Sequence, residues 1–293
     1  MIRHILLTVL ACLPVTLSAQ APLQLSELLF QPRSGEAEYL ELYNGSNATV
    51  ELSDYLIIRW IGDSLGKRYS LPQHTVQPHA YVVLTKNAAS VTANYTVKYP
   101  SNLVECDLPT YPNDGGSVVL AMADGTVTEK FDYLPSMHSR LLRNKGGVAL
   151  ERRSFDTDCN ALGNWFSASS TSGYGTPTYE NSQSRELLAE ETRFELSSTL
   201  VSPDGDGYQD DLTIAYSLEY DDIYARIVLF DARGNQVRLL LDNGLLGSQG
   251  QIRWDGNGDN GTHLPSGRYV LYINLYDLHG TQQVIKRGVA IVR

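Results

Sequence analysis

At 293 residues, with 42% hydrophobic and 19% charged side chains, the chain is too long for one typical domain and too rich in apolar residues to be disordered. A formal charge of -10 argues against gripping phosphate backbones, and so against a nucleic-acid partner. The 18 tyrosines, 24 glycines and 12 prolines favour β-structure, because tyrosine suits a pleated surface while glycine and proline serve turns.

The chain opens like a secretory leader. Arg3 and His4 precede an apolar run over 5–17, and Leu17-Ser18-Ala19 offers a small residue for cleavage before Gln20, so residues 1–19 are expected to be a cleaved signal peptide. A competing reading takes Val9-Leu10-Ala11-Cys12 as a lipobox with Cys12 acylated. No later segment is apolar for long enough to cross a bilayer as a helix. The expected location is therefore the cell surface, the medium or the periplasm. Beyond Cys12 only Cys106 and Cys159 remain. In an oxidising compartment the expectation is a disulfide between them, worth roughly 4 kcal/mol by chain entropy; the alternative is two separate small core residues.

Short alternating stretches read as strands over 23–30, 39–43, 55–60, 81–84, 117–121 and 127–133. Turn chemistry separates them, as in Asn44-Gly45-Ser46-Asn47 and Asn113-Asp114-Gly115-Gly116. Residues 169–184 are mostly Ser, Thr, Gly, Pro and Asn, with almost nothing to bury, and read as the exit from a first domain. Residues 185–195 are charged and read as a linker. Alternation resumes over 212–218, 225–231, 236–241, 251–254, 269–275 and 284–292, with hairpin turns at 231–235 and 277–281. The expected fold is all-β: two immunoglobulin-like β-sandwich domains in tandem, 20–184 and 196–293, after the signal peptide.

Three segments resemble the lamin tail domain: Leu25-Ser26-Glu27-Leu28-Leu29-Phe30-Gln31-Pro32, then Glu38-Tyr39-Leu40-Glu41-Leu42-Tyr43-Asn44, then Val50-Glu51-Leu52-Ser53-Asp54-Tyr55. Residues 114–120 and 150–165 resemble the closing portion of bacterial members. The resemblance implies an immunoglobulin-like sandwich with binding or architectural roles and no active site of its own. A leader peptide excludes a nuclear lamin. In the second half, Ser202-Pro203-Asp204-Gly205-Asp206-Gly207, Phe230-Asp231-Ala232-Arg233-Gly234 and Pro265-Ser266-Gly267-Arg268-Tyr269 resemble FlgD-type immunoglobulin-like domains. They are also similar to the C-terminal sorting domains of type IX secretion in Bacteroidetes.

The densest polar cluster is the loop 204–211, with four carboxylates in eight residues. Such acids repel one another unless they spread into solvent or gather round a hard cation. Asp204, Asp206, Asp210 and then Asp211 are the candidate calcium ligands, against an acidic surface turn. The loop departs from the EF-hand pattern, with Tyr208 at its fifth place and Gln209 where glycine is expected. The turn 255–261 reads as αL turn chemistry. His74, His79, His138, His263 and His279 fit no nucleophile or zinc spacing and read as solvated loop residues. Trp60, Trp165 and Trp254 read as core or strand-pairing residues before a glycan platform. Asp63-Ser64-Leu65 fits a short Bacteroidetes O-glycosylation pattern at Ser64. Glu27 and Glu41 read as strand features that bond loop backbone, before any glycosidase pair.

The expected function is a non-enzymatic envelope or surface module that binds a protein or glycan, without catalytic residues. The lamin-tail-like domain would bind and the second sandwich would export or dock. The alternatives are a glycan-binding or hydrolytic accessory protein, and a structural subunit of a secretion or gliding apparatus.

Overall fold

The computed structural model describes residues 21–61 and 64–293. The expected signal peptide, Cys12 and Asp63 of the glycosylation pattern lie outside those residues. The described chain is all-β, with two main apolar cores, one drawn from residues 23–165 and one from 194–291, and two smaller clusters on the outer faces of the first sandwich.

The first sandwich contains β1 (Leu23–Leu29), β2 (Tyr39–Asn44), β3 (Val50–Glu51), β4 (Tyr55–Ile61), β5 (Ser64–Ser70), β6 (Thr75–Val76), β7 (Tyr81–Thr85), α1 (Ala88–Asn94), β8 (Leu103–Glu105), β9 (Gly116–Met122), β10 (Val127–Tyr133), β11 (Leu150–Arg152) and β12 (Trp165–Ser167). One sheet runs β12-β11-β1-β2-β7-β8 and the facing sheet runs β10-β9-β4-β5. Leu23, Leu25, Leu28 and Leu40 from the first meet Ile57, Val118, Leu120 and Phe131 from the second.

The register of β1 sets everything outside that core. Leu28 faces Leu40 and Glu27 faces Glu41, but the next pair is Leu25 with Leu42, so β1 carries one extra residue there. This bulge puts Ser26 and Glu27 together on the outer face while Leu25 and Leu28 both point inward. It also frees the Leu25 amide, which donates to Glu129 Oε2 at 2.6 Å. The other Glu129 oxygen takes Arg152 Nη1 at 2.7 Å, a buried tie between β10 and β11.

Residues 168–184 then return across the outer face of the larger sheet as an irregular strap. The reading of this stretch as an exit with little to bury is corrected: Ser169, Thr176, Thr178, Asn181 and Gln183 are all buried. What is buried is backbone and hydroxyl rather than hydrocarbon.

The second sandwich contains β13 (Arg193–Leu196), β14 (Leu200–Val201), β15 (Leu212–Ser217), β16 (Tyr224–Asp231), β17 (Gln236–Leu245), β18 (Gln249–Trp254), β19 (Gly267–Tyr276) and β20 (Gln282–Ile291). Its sheets run β13-β15-β18 and β14-β20-β19-β16-β17. Its hairpin turns follow the sequence. The Asp231 carboxylate accepts from the amides of Arg233 and Asn235, and Asp277 does the same for His279 and Thr281. β13 begins inside the expected 185–195 linker, and Arg185 there donates its amide to Arg153 O and its guanidinium to Asp221.

The bridge expected between Cys106 and Cys159 is not formed; both are free thiols. Cys106 extends β8 by donating its amide to Thr85 O, whereas the Cys159 carbonyl holds the indole of Trp165 at the start of β12. β8 and β12 are opposite edges of a six-stranded sheet. Five spacings of about 4.8 Å separate such edges, far beyond the Cα separation of about 7 Å that a disulfide spans. Both thiols serve the core, and burial pushes Cys106 up to about 11. Alkylation of the denatured, unreduced protein should label both residues, and a Cys106–Cys159 linked peptide in the digest would contradict this placement.

Candidate functional site

Three features could carry function: the loop 204–211, the strap with the junction it makes, and the edge of β20.

In the loop, one carboxylate oxygen each from Asp204, Asp206 and Asp210 lies within 4.8 Å of the others. Calcium–oxygen bonds of about 2.3–2.6 Å place opposite ligands up to about 5 Å apart, so this spacing suits a hard cation. Gly205 and Gly207 take left-handed φ of 83° and 88°, which curls the loop back on itself. The Asp210 carboxylate accepts from both their amides, which holds its pKa below the usual value. Asp211, expected with the others, instead pairs with Arg253 across β15 and β18. The turn 255–261 is tied by Asp255 accepting from the Asn257 amide, as its residue types suggested.

On the outer face of the larger sheet, Glu151, Glu27 and Glu41 stand in register on β11, β1 and β2. All three are fully buried. Glu27 accepts from Tyr39 Oη at 2.6 Å and from the Thr176 amide at 3.1 Å. Glu41 accepts from the Thr178 amide at 2.6 Å, and Glu151 from the Gln183 amide at 2.9 Å and Ser182 Oγ at 2.8 Å. The strap is thus pinned at three places by carboxylates that form no ion pair among the described residues. Burial, then the neighbouring carboxylate Glu151, pushes Glu27 up to about 8. Burial and Glu27 hold Glu41 well above its usual value, and burial raises Glu151. The sequence reading had Glu27 and Glu41 bonding loop backbone, which the geometry bears out. It placed Glu151 only within the segment resembling the closing portion of lamin tail domains and gave it no role of its own.

The other face of the strap meets the second sandwich. Ser170 Oγ donates to Leu245 O at 2.7 Å, Thr171 Oγ1 meets Tyr216 Oη at 2.6 Å, and Ser248 Oγ donates to Ser184 O at 2.6 Å. Arg153, itself buried, reaches Asp221 and Asp222. Beside this junction lies a cleft of about 480 Å³ lined by Lys98, Tyr179, Glu180, Tyr216, Gln249 and Gln251 among others. Lys98 Nζ sits 4.0 Å from the centre of the Tyr179 ring.

The edge of β20 is partly open. The amides of Ala290 and Val292 donate outward to Thr199 O and Val201 O. The β19–β20 register has no shift, so Val284, Lys286 and Gly288 also turn their N–H and C=O away from β19. β14 covers only Ala290 and Ile291, because β13 turns away to pair with β15. A groove of about 410 Å³ remains between Arg193, Phe194 and Glu195 on one side and residues 283–287 on the other.

Residues 16–134 match the Lamin Tail Domain family. The matched span of the lamin tail domain carries Glu27 and Glu41 but stops short of Glu151 and the strap. No curated protein matches the chain. Among solved structures, the chain is similar to CopC from Methylosinus trichosporium OB3b at 15% identity and TM-score 0.23, covering 34% of this chain and 93% of that one. It is similar to latent PorU from Porphyromonas gingivalis at 10% and 0.29, covering 92% of this chain and 20% of that one. PorZ of the same organism, a surface component of the type-IX secretion system, gives 12% and 0.26, with 92% and 39% covered. The chain thus spans well under half the length of PorU and PorZ.

The histidine reading needs one correction. His138 is buried, stacked on Phe30 with centroids 5.4 Å apart, and its Nδ1 lies 2.9 Å from Ser167 Oγ. Burial lowers it to about 4, so it stays neutral. Its Nε2 has no partner and no access to solvent, so this Ser–His pair lacks both an orienting acid and a route for substrate. Trp165, stacked on Phe131 at 3.8 Å, and Trp254 are core residues; Trp60 lies under Lys130. Ser64 is exposed on β5.

Gly247 is where the junction is tightest, since a Cβ there would stand 2.4 Å from the Ser182 carbonyl oxygen. Gly247→Ala should therefore force backbone apart, at about 1–3 kcal/mol. We expect a lower melting temperature and faster proteolytic cutting at 185–192 than in wild type. Unchanged digestion and melting would mean that the two sandwiches do not close on each other here.

Proposed function

We propose that the protein is an exported, non-catalytic binding module of the cell envelope. In this reading the second sandwich docks an acidic, extended segment of a partner protein along β20. The open edge of β20 carries the proposal. An unpaired strand edge offers main-chain donors and acceptors to an incoming strand. From residue 260 onward the single acid is Asp277, against Arg268, Lys286, Arg287 and Arg293, in a chain of net charge -10. A second copy pairing antiparallel on β20 would set Lys286 and Arg287 against their own kind, which disfavours self-association. An acidic strand is attracted instead. The same sandwich is the one whose motifs resemble FlgD-type and type IX sorting domains, and export or docking is the role we assign to it.

The loop 204–211 belongs to this reading. It joins β14, which covers the end of β20's outer edge, to β15 of the opposite sheet. Calcium held by Asp204, Asp206 and Asp210 would fix the entrance of the sandwich. The full chain should melt several degrees higher in millimolar calcium than in chelator, as follows for any ligand that binds only the folded state. Asp204→Ala with Asp206→Ala should remove the difference; equal melting of wild type in both buffers leaves the loop a plain acidic turn.

Docking is tested with short peptides that alternate valine with glutamate or with lysine, titrated into the full chain. The acidic peptide should bind, with affinity falling as salt rises, and the basic one should not. Lys286→Glu with Arg287→Glu should weaken binding roughly tenfold or more, a loss of about 1.4 kcal/mol. Val284→Pro, which deletes one outward N–H, should do likewise. Equal binding of both peptides would sink the proposal. A second reading, a polar glycan in the cleft beside Tyr179, is favoured by its hydroxyl and amide lining; a glycan array compares it directly.

A further inference from the structure

The hydroxyls under the strap do not carry enough hydrogens for the contacts they make. Thr176 Oγ1 lies 3.1 Å from Glu27 Oε2 and 2.8 Å from Glu151 Oε1. Its single hydrogen satisfies one of them. Ser26 Oγ lies 3.0 Å from Glu41 Oε1 and 3.2 Å from Asn181 Oδ1. The Asn181 amide nitrogen is committed to two carbonyls, Ser26 O at 3.0 Å and Arg152 O at 2.9 Å, so its oxygen can only accept. In both places the second contact is a hydrogen bond only if a carboxyl supplies the proton.

We propose that the strap is locked by protons held on the Glu151–Glu27–Glu41 ladder, one shared between Glu27 and Glu151 through Thr176 and one on Glu41 towards Ser26, and that their loss at alkaline pH releases the strap and loosens the junction between the two sandwiches. Among the described residues no unengaged cation stands ready to replace them. Arg152, next along β11, turns to Glu129 and the carbonyls of Leu25 and Thr157. Lys98 is engaged over Tyr179. The remaining titratable groups facing the ladder are Tyr39 from β2, Tyr81 from β7, Tyr179 and Glu180 from the strap, and Tyr95 and Glu186 beyond them, while Arg33, the cation nearest Tyr95, pairs with Glu36. A fully ionised ladder would leave three buried negative charges with only neutral donors around them.

The direction follows from the raised carboxyls. Glu27 moves from 4.5 to about 8, so the closed strap is fully favoured below pH 4.5 and that advantage is lost as pH rises through about 8. The strap contributes Ser170, Thr171, Gln183 and Ser184 to the junction, so its release removes those contacts and leaves the second sandwich held by Arg153 with Asp221 and Asp222 and by Ser139 with Tyr224.

Hydrogen exchange on the full chain tests this. After correction for intrinsic exchange, the opening constant at the Thr176, Thr178 and Gln183 amides should rise about tenfold per pH unit for each proton released. In Glu151→Gln the amide donates permanently to Thr176, and the dependence should fall by one proton. Adding Glu41→Gln should flatten it. A flat profile in wild type, or the same slope in the variants, overturns the proposal. Infrared spectra of wild type labelled at glutamate decide it should the variants not fold. A protonated-carboxyl band at neutral pH that vanishes on alkalinisation is expected, and its absence rejects the lock.

Discussion

Three glutamates on neighbouring strands, all beneath the surface and without a cation, set the terms for the rest of the molecule. Carboxylates can stay buried only if donors converge on them. The sheet provides only the side-chain hydroxyls of Tyr39 and Ser26, because its own amides are engaged in the ladder between strands. The other donors come from residues 176–183, which therefore have to lie flat on the sheet whatever their composition. Once the strap is down, its other side presents carbonyls and hydroxyls that a second protein surface can satisfy. The second sandwich supplies that surface with Tyr216, Leu245 and Ser248. These contacts are polar, and the main apolar cores of the two sandwiches stay separate.

Much of this was legible in the sequence. Alternation located most long strands of both sandwiches to within a residue or two, but it missed β5, whose residues are mostly exposed, and stopped β17 four residues short. The glutamates of the lamin-tail motif were visible and correctly read as bonding backbone. The strap was not, because hydrophobic patterning measures hydrocarbon, and a segment that buries only peptide groups and hydroxyls looks the same as a loop in solvent. Glu151 escaped for a related reason: β11 is three residues long, too short for a period to show.

The two other departures have the same origin. Cys106 and Cys159 looked like a pair because an exported chain with two thiols usually joins them, and only the strand order reveals that they sit at opposite margins. His138 follows Pro135 in a turn-like stretch, and its burial comes from Phe30 and Ser167, residues distant in sequence. Spacing along the chain carries no information about contacts of that kind.

The separation between Glu27 and the amide of Thr176 is 149 residues. Closing so long a loop is slow and is rewarded only when the last contact forms. A chain threading through an export pore from its N-terminus would carry β1 across long before residue 176 arrives. During that interval the glutamates remain wetted, and the larger sheet lacks its outer layer. The first sandwich can therefore complete itself only after residues 176–183 have joined it. In the exported protein proposed above, that order would keep the early part of the chain pliable during transit and delay its final form until the far side is reached.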